Sequence, residues 1–369
     1  MQKISTLDLI PGMVIAENVL SYDRQVILAK GTVLTDSFIT RLELHGILVA
    51  YIEDPAENEL LAGPEPAPES DKPRAPLYPT YSQRIKASPR FKEFKRSYEM
   101  STENFKNSIN EMVAKNVKVD PTQLLVSPLD MVSKAGSLVD VLDMLQNMRE
   151  YDDSTFAHSM NVALLNYVAA GWLRWSPEEQ RMAMACGLFH DIGKLQVDHD
   201  ILNKPGKLDD QEYEHIKKHT IFGYKLLLEQ DVDDHIRYAA LMHHERYDGT
   251  GYPLHVVGDQ IDQFARLTAI SDVYDAMTAA RVYRGPMCPF RVIEIFEEEG
   301  FAKYDSEFIL SFLANVGNTY IRNACRLNDG REGEIIMINQ DKLSRPVVMV
   351  GTEYINLKDH PDLYIDELI

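Results

Sequence analysis

The sequence predicts a mainly α-helical protein with a small β-rich module at the N-terminus and a small β-module at the C-terminus. Three observations carry that expectation. Apolar residues recur at helical spacing from about Tyr81 to Asn318, short apolar runs bounded by turn residues occupy both ends, and a proline-rich tract follows the first end. The length of 369 residues also exceeds one ordinary domain.

Within residues 1–54, Met13-Val-Ile-Ala, Val26-Ile-Leu-Ala and Ile47-Leu-Val-Ala-Tyr-Ile read as strands, punctuated by Pro11-Gly12 and Gly31, with Thr35 to His45 a short joining helix. Residues 55–80 contain Pro55, Pro64, Pro66, Pro68, Pro73, Pro76 and Pro79 among acidic and small residues; such a composition buries no core and reads as an exposed linker. Residues 81–150 form a helical connector and 151–325 the principal helical domain. There, Ser176-Pro177-Glu178-Glu179 is a capping box with proline at the first helical position. Asp209 with Glu212 opens a helix drawn through to Leu228, and further helices read over 154–170, 234–244, 264–280 and 291–298. In the C-terminal module, 326–369, Gly333-Glu-Ile-Ile-Met-Ile, Pro346-Val-Val-Met-Val and Glu353-Tyr-Ile-Asn-Leu read as strands.

A net charge of −19 repels nucleic-acid polymers and anionic membranes at long range. Phosphate chemistry on such a chain has to draw on local positive charge, from metal ions or a few placed Lys and Arg. No stretch reaches the ~18–20 uncharged apolar residues that span a bilayer. The opening Met1 to Asp8 does not read as a secretory signal. The three cysteines, Cys186, Cys288 and Cys325, form no Cys-x-x-Cys pair, which disfavours disulfides and thiolate zinc and fits a reducing cytoplasm.

The informative feature is histidine placement. His158, His190, His219, His243 and His244 fall on core-facing stripes of successive helices, with Asp191 and Asp272 among them. A lone histidine on an apolar face is ordinarily a hydrogen-bonded core residue. Burying five imidazoles and two carboxylates uncompensated costs several kcal/mol per charge, and divalent cations remove that cost. Imidazole and carboxylate donors without thiolate suit iron, manganese, cobalt or zinc.

Two runs are specific in spacing: His190-Asp191-Ile192-Gly193-Lys194, and His243-His244-Glu245-Arg246-Tyr247-Asp248-Gly249-Thr250-Gly251-Tyr252-Pro253. Together they resemble the HD-GYP family within the HD phosphohydrolases, and the resemblance covers about Asp152 to Asn318. It implies a helical HD-type bundle, two or three metal ions, and hydrolysis of cyclic di-GMP to linear pGpG or GMP by a metal-bridging hydroxide. Carried over by position, His158, His190, Asp191, His219, His243, His244 and Asp272 are the metal ligands, with Asp191 the bridge. Trinuclear relatives carry a glutamate where Ser154 stands here, so two ions, iron or manganese, are expected.

Lys194 is placed beside the scissile phosphate, against the plainer reading of a solvated lysine. Arg281 and Arg284 are expected to clamp the other phosphate, or else to pair with surface acids. Tyr252 presents a ring or hydroxyl to substrate, and Asp152 a hydrogen bond to a ligand histidine or a metal-bound water. Alternatives from other classes are a signalling scaffold with little turnover, binding nucleotide or partner proteins, and a hydrolase for another nucleotide such as cyclic GMP-AMP. A homodimer or signalling-protein partners are compatible with the flanking modules.

Overall fold

The computed structural model describes residues 81–115, 117–148, 155–202, 204, 206, 208–279 and 286–369, and at the N-terminus 2–5, 9, 12–20, 26–35, 38–39, 42 and 49–52. The expected linker and most of the helix read over Thr35 to His45 lie outside the described residues. The chain divides into two units, Met1–Leu77 and Tyr78–Ile369.

In the first unit, strand β1 (Gln2–Ser5) pairs antiparallel with β4 (Val49–Ile52), and β2 (Val19–Leu20) pairs with β3 (Val26–Leu28). Its core gathers Ile15, Ile27, Leu28, Leu34, Leu42 and Ile52. Ile15, Ile27, Leu28 and Ile52 come from the three apolar runs, and Leu34 and Leu42 from outside them.

The second unit begins with α1 (Tyr81–Ala87), the long α2 (Pro89–Lys115), α3 (Pro121–Ala135) and α4 (Leu138–Met148). Helix α5 (Thr155–Trp172) is buried on nearly every side, as its almost continuous apolar composition demands. Helix α6 (Pro177–Phe189) packs along it, started by the expected box in which Ser176 and Glu179 satisfy each other's backbone N–H groups. The helix then gives way to a 3-10 turn at Ile192–Gln196.

The single helix drawn from Asp209 to Leu228 is two. After the short α7 (His199–Leu202), α8 (Asp210–Lys217) ends at Lys218 and α9 (His219–Leu228) begins afresh. Their junction keeps helical torsions, φ −67° and ψ −12° at Lys218, so no glycine or proline marks it. Helices α10 (Asp234–Met242) and α11 (Gln263–Thr278) follow, capped by Asp233 and Asp262. Helix α12 (Pro289–Ile295) passes into a π-helical turn over Phe296–Gly300, then α13 (Phe301–Lys303) and α14 (Ser306–Thr319).

The C-terminal module is an antiparallel five-stranded sheet of order β8-β7-β6-β5-β9. Its strands are β5 (Ala324–Leu327), β6 (Glu332–Met337), β7 (Val347–Val350), β8 (Glu353–Asn356) and β9 (Ile365–Leu368). Strands β5 and β9 are additions to the three read from sequence. The sheet's inner residues Ile335, Val348 and Ile365 share one hydrophobic core with the helices. Among the described residues no helix is long and apolar enough to cross a membrane.

Candidate metal centre

Seven side chains from five segments converge. His158 comes from the first turns of α5, His190 and Asp191 from the end of α6, His219 from the start of α9, His243 and His244 from the end of α10, and Asp272 from the middle of α11. They fall into two groups whose donor atoms lie within 4.8 Å of one another: Asp191, His219, His243 and His244 (the tetrad), and His158, His190 and Asp272 (the triad). All seven expected ligands are therefore brought together.

Hydrogen bonding orients the rings. His190 Nδ1–H donates to the Gly187 carbonyl at 2.7 Å, His219 Nδ1–H to Ile216 at 2.7 Å and His243 Nδ1–H to Ala239 at 3.0 Å. His158 Nδ1–H donates instead to a carboxylate, Asp275 Oδ2, at 2.8 Å. In His190, His219 and His243 the proton is thereby fixed on Nδ1 and Nε2 carries its lone pair inward, whereas the protonated His158 donates from both nitrogens to carboxylates.

Asp191 stands between the groups. Its Oδ1 lies 3.4 Å from His219 Nε2 and 3.7 Å from His243 Nε2, while Oδ2 lies 3.3 Å from His190 Nε2 and 3.7 Å from His158 Nε2. Lys194 Nζ also reaches Oδ2, at 2.5 Å. Asp272 Oδ1 accepts from His158 Nε2 at 2.9 Å, and its Oδ2 is 3.9 Å from His244 Nδ1.

The electrostatics separate protonation states. Burial alone would raise the Asp191 carboxyl, but Lys194 and then His190 hold it well below the ordinary range. Burial pushes the His219 imidazole down to about 3, and lowers those of His243 and His244 as well. His158 goes the other way: burial would lower it, but its hydrogen bonds to Asp272 and Asp275 lift it to about 9.

These residues fit bound cations. His190 Nε2 and Asp191 Oδ1 are buried and meet hydrogen-bond geometry with no described residue. His219 Nε2 and His243 Nε2 face each other at 3.2 Å, two lone pairs with no proton between them in the tautomers that their Nδ1 bonds select. A cation resolves both conflicts.

Glycines permit the close approaches. A Cβ at Gly193 would lie 1.9 Å from the His219 carbonyl oxygen and 2.4 Å from Gly223 N, so the turn after Asp191 lies directly against α9. A Cβ at Gly251 would lie 2.3 Å from Arg246 N. That tightness seats Tyr252, whose ring stacks on His244 with centroids 4.8 Å apart. Asp248 turns the same loop, accepting from Thr250 N at 3.0 Å. Asp152, Arg281 and Arg284 lie outside the described residues, as does Ser154.

Two supporting acids were not singled out by the sequence pattern. Asp275 follows Asp272 by three residues, and that helical spacing would have placed it on the same face. Glu245, 2% exposed, accepts from Leu254 N at 2.5 Å and His255 N at 3.1 Å and so ties the Gly-Tyr-Pro loop to the end of α10. A charged residue directly after two inward histidines was the available signal.

Residues 132–308 match the family model described as the HD domain. Over that segment the chain is similar to HD-domain proteins, and the relatives it matches include curated cyclic di-GMP phosphodiesterases. It is 35% identical over 207 residues to a cyclic di-GMP phosphodiesterase of Pseudomonas aeruginosa, covering 56% of this chain and 50% of that one. It is 40% identical over 154 residues to 3'3'-cGAMP-specific phosphodiesterase 1 of Vibrio cholerae, covering 39% of this chain and 34% of that one. The chain thus spans half or less of the length of these relatives. Among solved structures it is similar to a HDG"Y"P protein from Bdellovibrio bacteriovorus, with 17% identity and a TM-score of 0.44 over 84% of this chain and 97% of that one.

Proposed function

We propose that the chain is a metal-dependent phosphodiesterase that hydrolyses cyclic di-GMP to linear pGpG or GMP in the cytoplasm, with residues 151–325 as its catalytic domain between accessory modules at 1–54 and 326–369. One observation carries the reading: two groups of nitrogen and oxygen donors meet at the buried carboxylate of Asp191, a member of the tetrad whose Oδ2 lies 3.3 Å from His190 Nε2 of the triad and whose Oδ1 has no hydrogen-bond partner among the described residues. The tetrad and the triad would each hold one divalent ion, iron or manganese, with Asp191 common to both. Such a pair supplies Lewis-acid polarisation of a phosphodiester and offsets the charge of an anionic substrate.

The chain's own groups do the rest. The Nδ1 bonds of His190, His219 and His243 hold their rings in one tautomer, so no reorganisation precedes ligation. Lys194, a quarter exposed beside Asp191, is the cation assigned to the phosphate's developing charge. Tyr252, held against His244, offers the substrate an aromatic edge beside the tetrad. Arg281 and Arg284 are assigned to the second phosphate and Asp152 to a supporting hydrogen bond.

The test is elemental analysis of protein purified without oxygen, alongside turnover of cyclic di-GMP and 3'3'-cGAMP. Two ions per chain and faster turnover of cyclic di-GMP are expected, and a chelator abolishes both activities. Metal-loaded protein that leaves both dinucleotides intact sinks the proposal. Preference for 3'3'-cGAMP keeps the chemistry and corrects the substrate.

A further inference from the structure

Helix α2 lies ahead of the segment that matches the HD domain, yet it reaches the triad through hydrogen bonds. The Tyr98 hydroxyl lies 2.7 Å from Asn161 Oδ1 and 2.9 Å from the Ala157 carbonyl oxygen. Both neighbours are acceptors, so the hydroxyl donates, and its proton fixes which way the Asn161 amide faces. The amide Nδ2 then points to Asp275 Oδ2 at 3.4 Å, the same oxygen that accepts from His158 Nδ1–H at 2.8 Å. Tyr98, Asn161 and Asp275 are 4%, 8% and 1% exposed, so water offers no easy substitute for any link.

A second contact seats the same helix face. Two turns beyond Tyr98, Phe105 meets Phe156 edge-on at 5.9 Å and Phe189 at 5.7 Å. Phe156 stands two residues before His158, and Phe189 immediately before His190. Helix α2 thus bears on both histidines of the triad.

We propose that Tyr98 is a positioning residue for the triad, acting through Asn161 and Asp275 on the orientation of His158. The inference rests on the reading that His158 ligates a metal ion. The hydroxyl sets the Asn161 amide, the amide and His158 together hold the Asp275 carboxylate in one rotamer, and that carboxylate aims His158 Nε2 at the site. Without the hydroxyl the amide is free to turn its carbonyl toward Asp275, which replaces an attraction with a repulsion between oxygens. No comparable link reaches the tetrad from α2 among the described residues, because His219 and His243 are oriented by carbonyls of their own segments.

The experiment is Mn2+ binding by equilibrium dialysis to the full chain and to Tyr98→Phe, Asp275→Asn and the double variant. His158→Ala identifies which binding step belongs to the triad. Tyr98→Phe keeps the ring and its packing, so its expected effect is a threefold to tenfold weaker triad step (roughly, for one link in an outer network) with the tetrad step unchanged. Asp275→Asn should weaken the triad step by about 10–100-fold, and the double variant should be no weaker than Asp275→Asn, since both act along one path. An unchanged triad step in Tyr98→Phe, or losses that multiply in the double variant, overturns the role of Tyr98 and leaves the metal centre standing. A wild-type chain that binds no Mn2+ overturns both.

Discussion

The tetrad and the triad meet at Asp191 but are held by different means. In the tetrad, His219 and His243 donate Nδ1–H to carbonyls three and four residues back in their own segments, so local backbone geometry alone aims them. In the triad, His158 is aimed by Asp275 on another helix, and its Nε2 is already engaged by Asp272. Burial keeps the tetrad's imidazoles neutral and ready to ligate. The carboxylates around His158 keep it protonated, at a pKa of about 9. One half is ready for a cation as folded, while the other must first give up a proton. The lesson is that equal donor types do not make equal sites; what lies behind each imidazole decides.

Removing the shared element gives the largest effect. Asp191→Ala deletes a ligand from the tetrad and the neighbour of His190 and His158 in the triad. Turnover should fall by at least the ~100-fold that loss of an outer-shell partner costs. Elemental analysis should show both ions depleted. By contrast His219→Ala should cost only the tetrad ion. Asp191→Ala protein that retains two ions would break the view that the halves are joined there.

The pH dependence of loading should separate the halves next. His158 is raised from 6.5 to about 9, so in the metal-free protein its contribution to stability is fully present below pH 6.5 and is lost as pH rises through about 9. His219 is lowered from 6.5 to about 3, so its contribution is present above pH 6.5 and is lost as pH falls toward 3. A cation entering the triad displaces the His158 proton. Mn2+ affinity there should rise about tenfold per pH unit between 6.5 and 8.5, with roughly one proton released. The tetrad should show no such slope. Calorimetry in buffers of different ionisation enthalpy measures both, and equal slopes would erase the distinction.

How much of this was legible in the sequence follows the same divide. The seven donors were readable from the resemblance of the His-Asp and His-His-Glu…Gly-Tyr-Pro runs to the HD-GYP family, with His158, His219 and Asp272 on helices and the other four just past helix ends. The caps Ser176 and Asp209 were readable from their glutamates three residues on. The break at Lys218 was not, since the torsions there remain helical and the apolar spacing runs through it. That break matters, because it starts a new helix at His219. Strands β5 and β9 escaped because they are short and carry charges: β5 alternates, with Arg326 bonding Glu332 and Glu367 across both neighbours, and β9 sets Asp366 and Glu367 between Ile365 and Leu368, patterns that single-strand apolarity misses. Asp275 escaped because nothing at one position announces that a carboxylate supports a ligand rather than being one.

The smallest expected effect falls on the carboxylate's own neighbour. Lys194 Nζ pairs with Asp191 Oδ2, the oxygen that faces His190 and His158. A cation placed there competes with any ion in the triad and is remote from the Oδ1 side. Lys194→Ala should therefore strengthen Mn2+ binding at the triad by about threefold to tenfold, the size expected for one partly solvated charge, and leave the tetrad step unchanged. Turnover of cyclic di-GMP should slow even so, because the substituted chain loses the cation assigned to the phosphate while its metal content is kept. The two signs differ, and that is what makes the variant informative. Slower turnover with fewer bound ions would mean that Lys194 serves to hold Asp191 in place, and the charge it carries would then belong to the architecture of the triad rather than to the substrate.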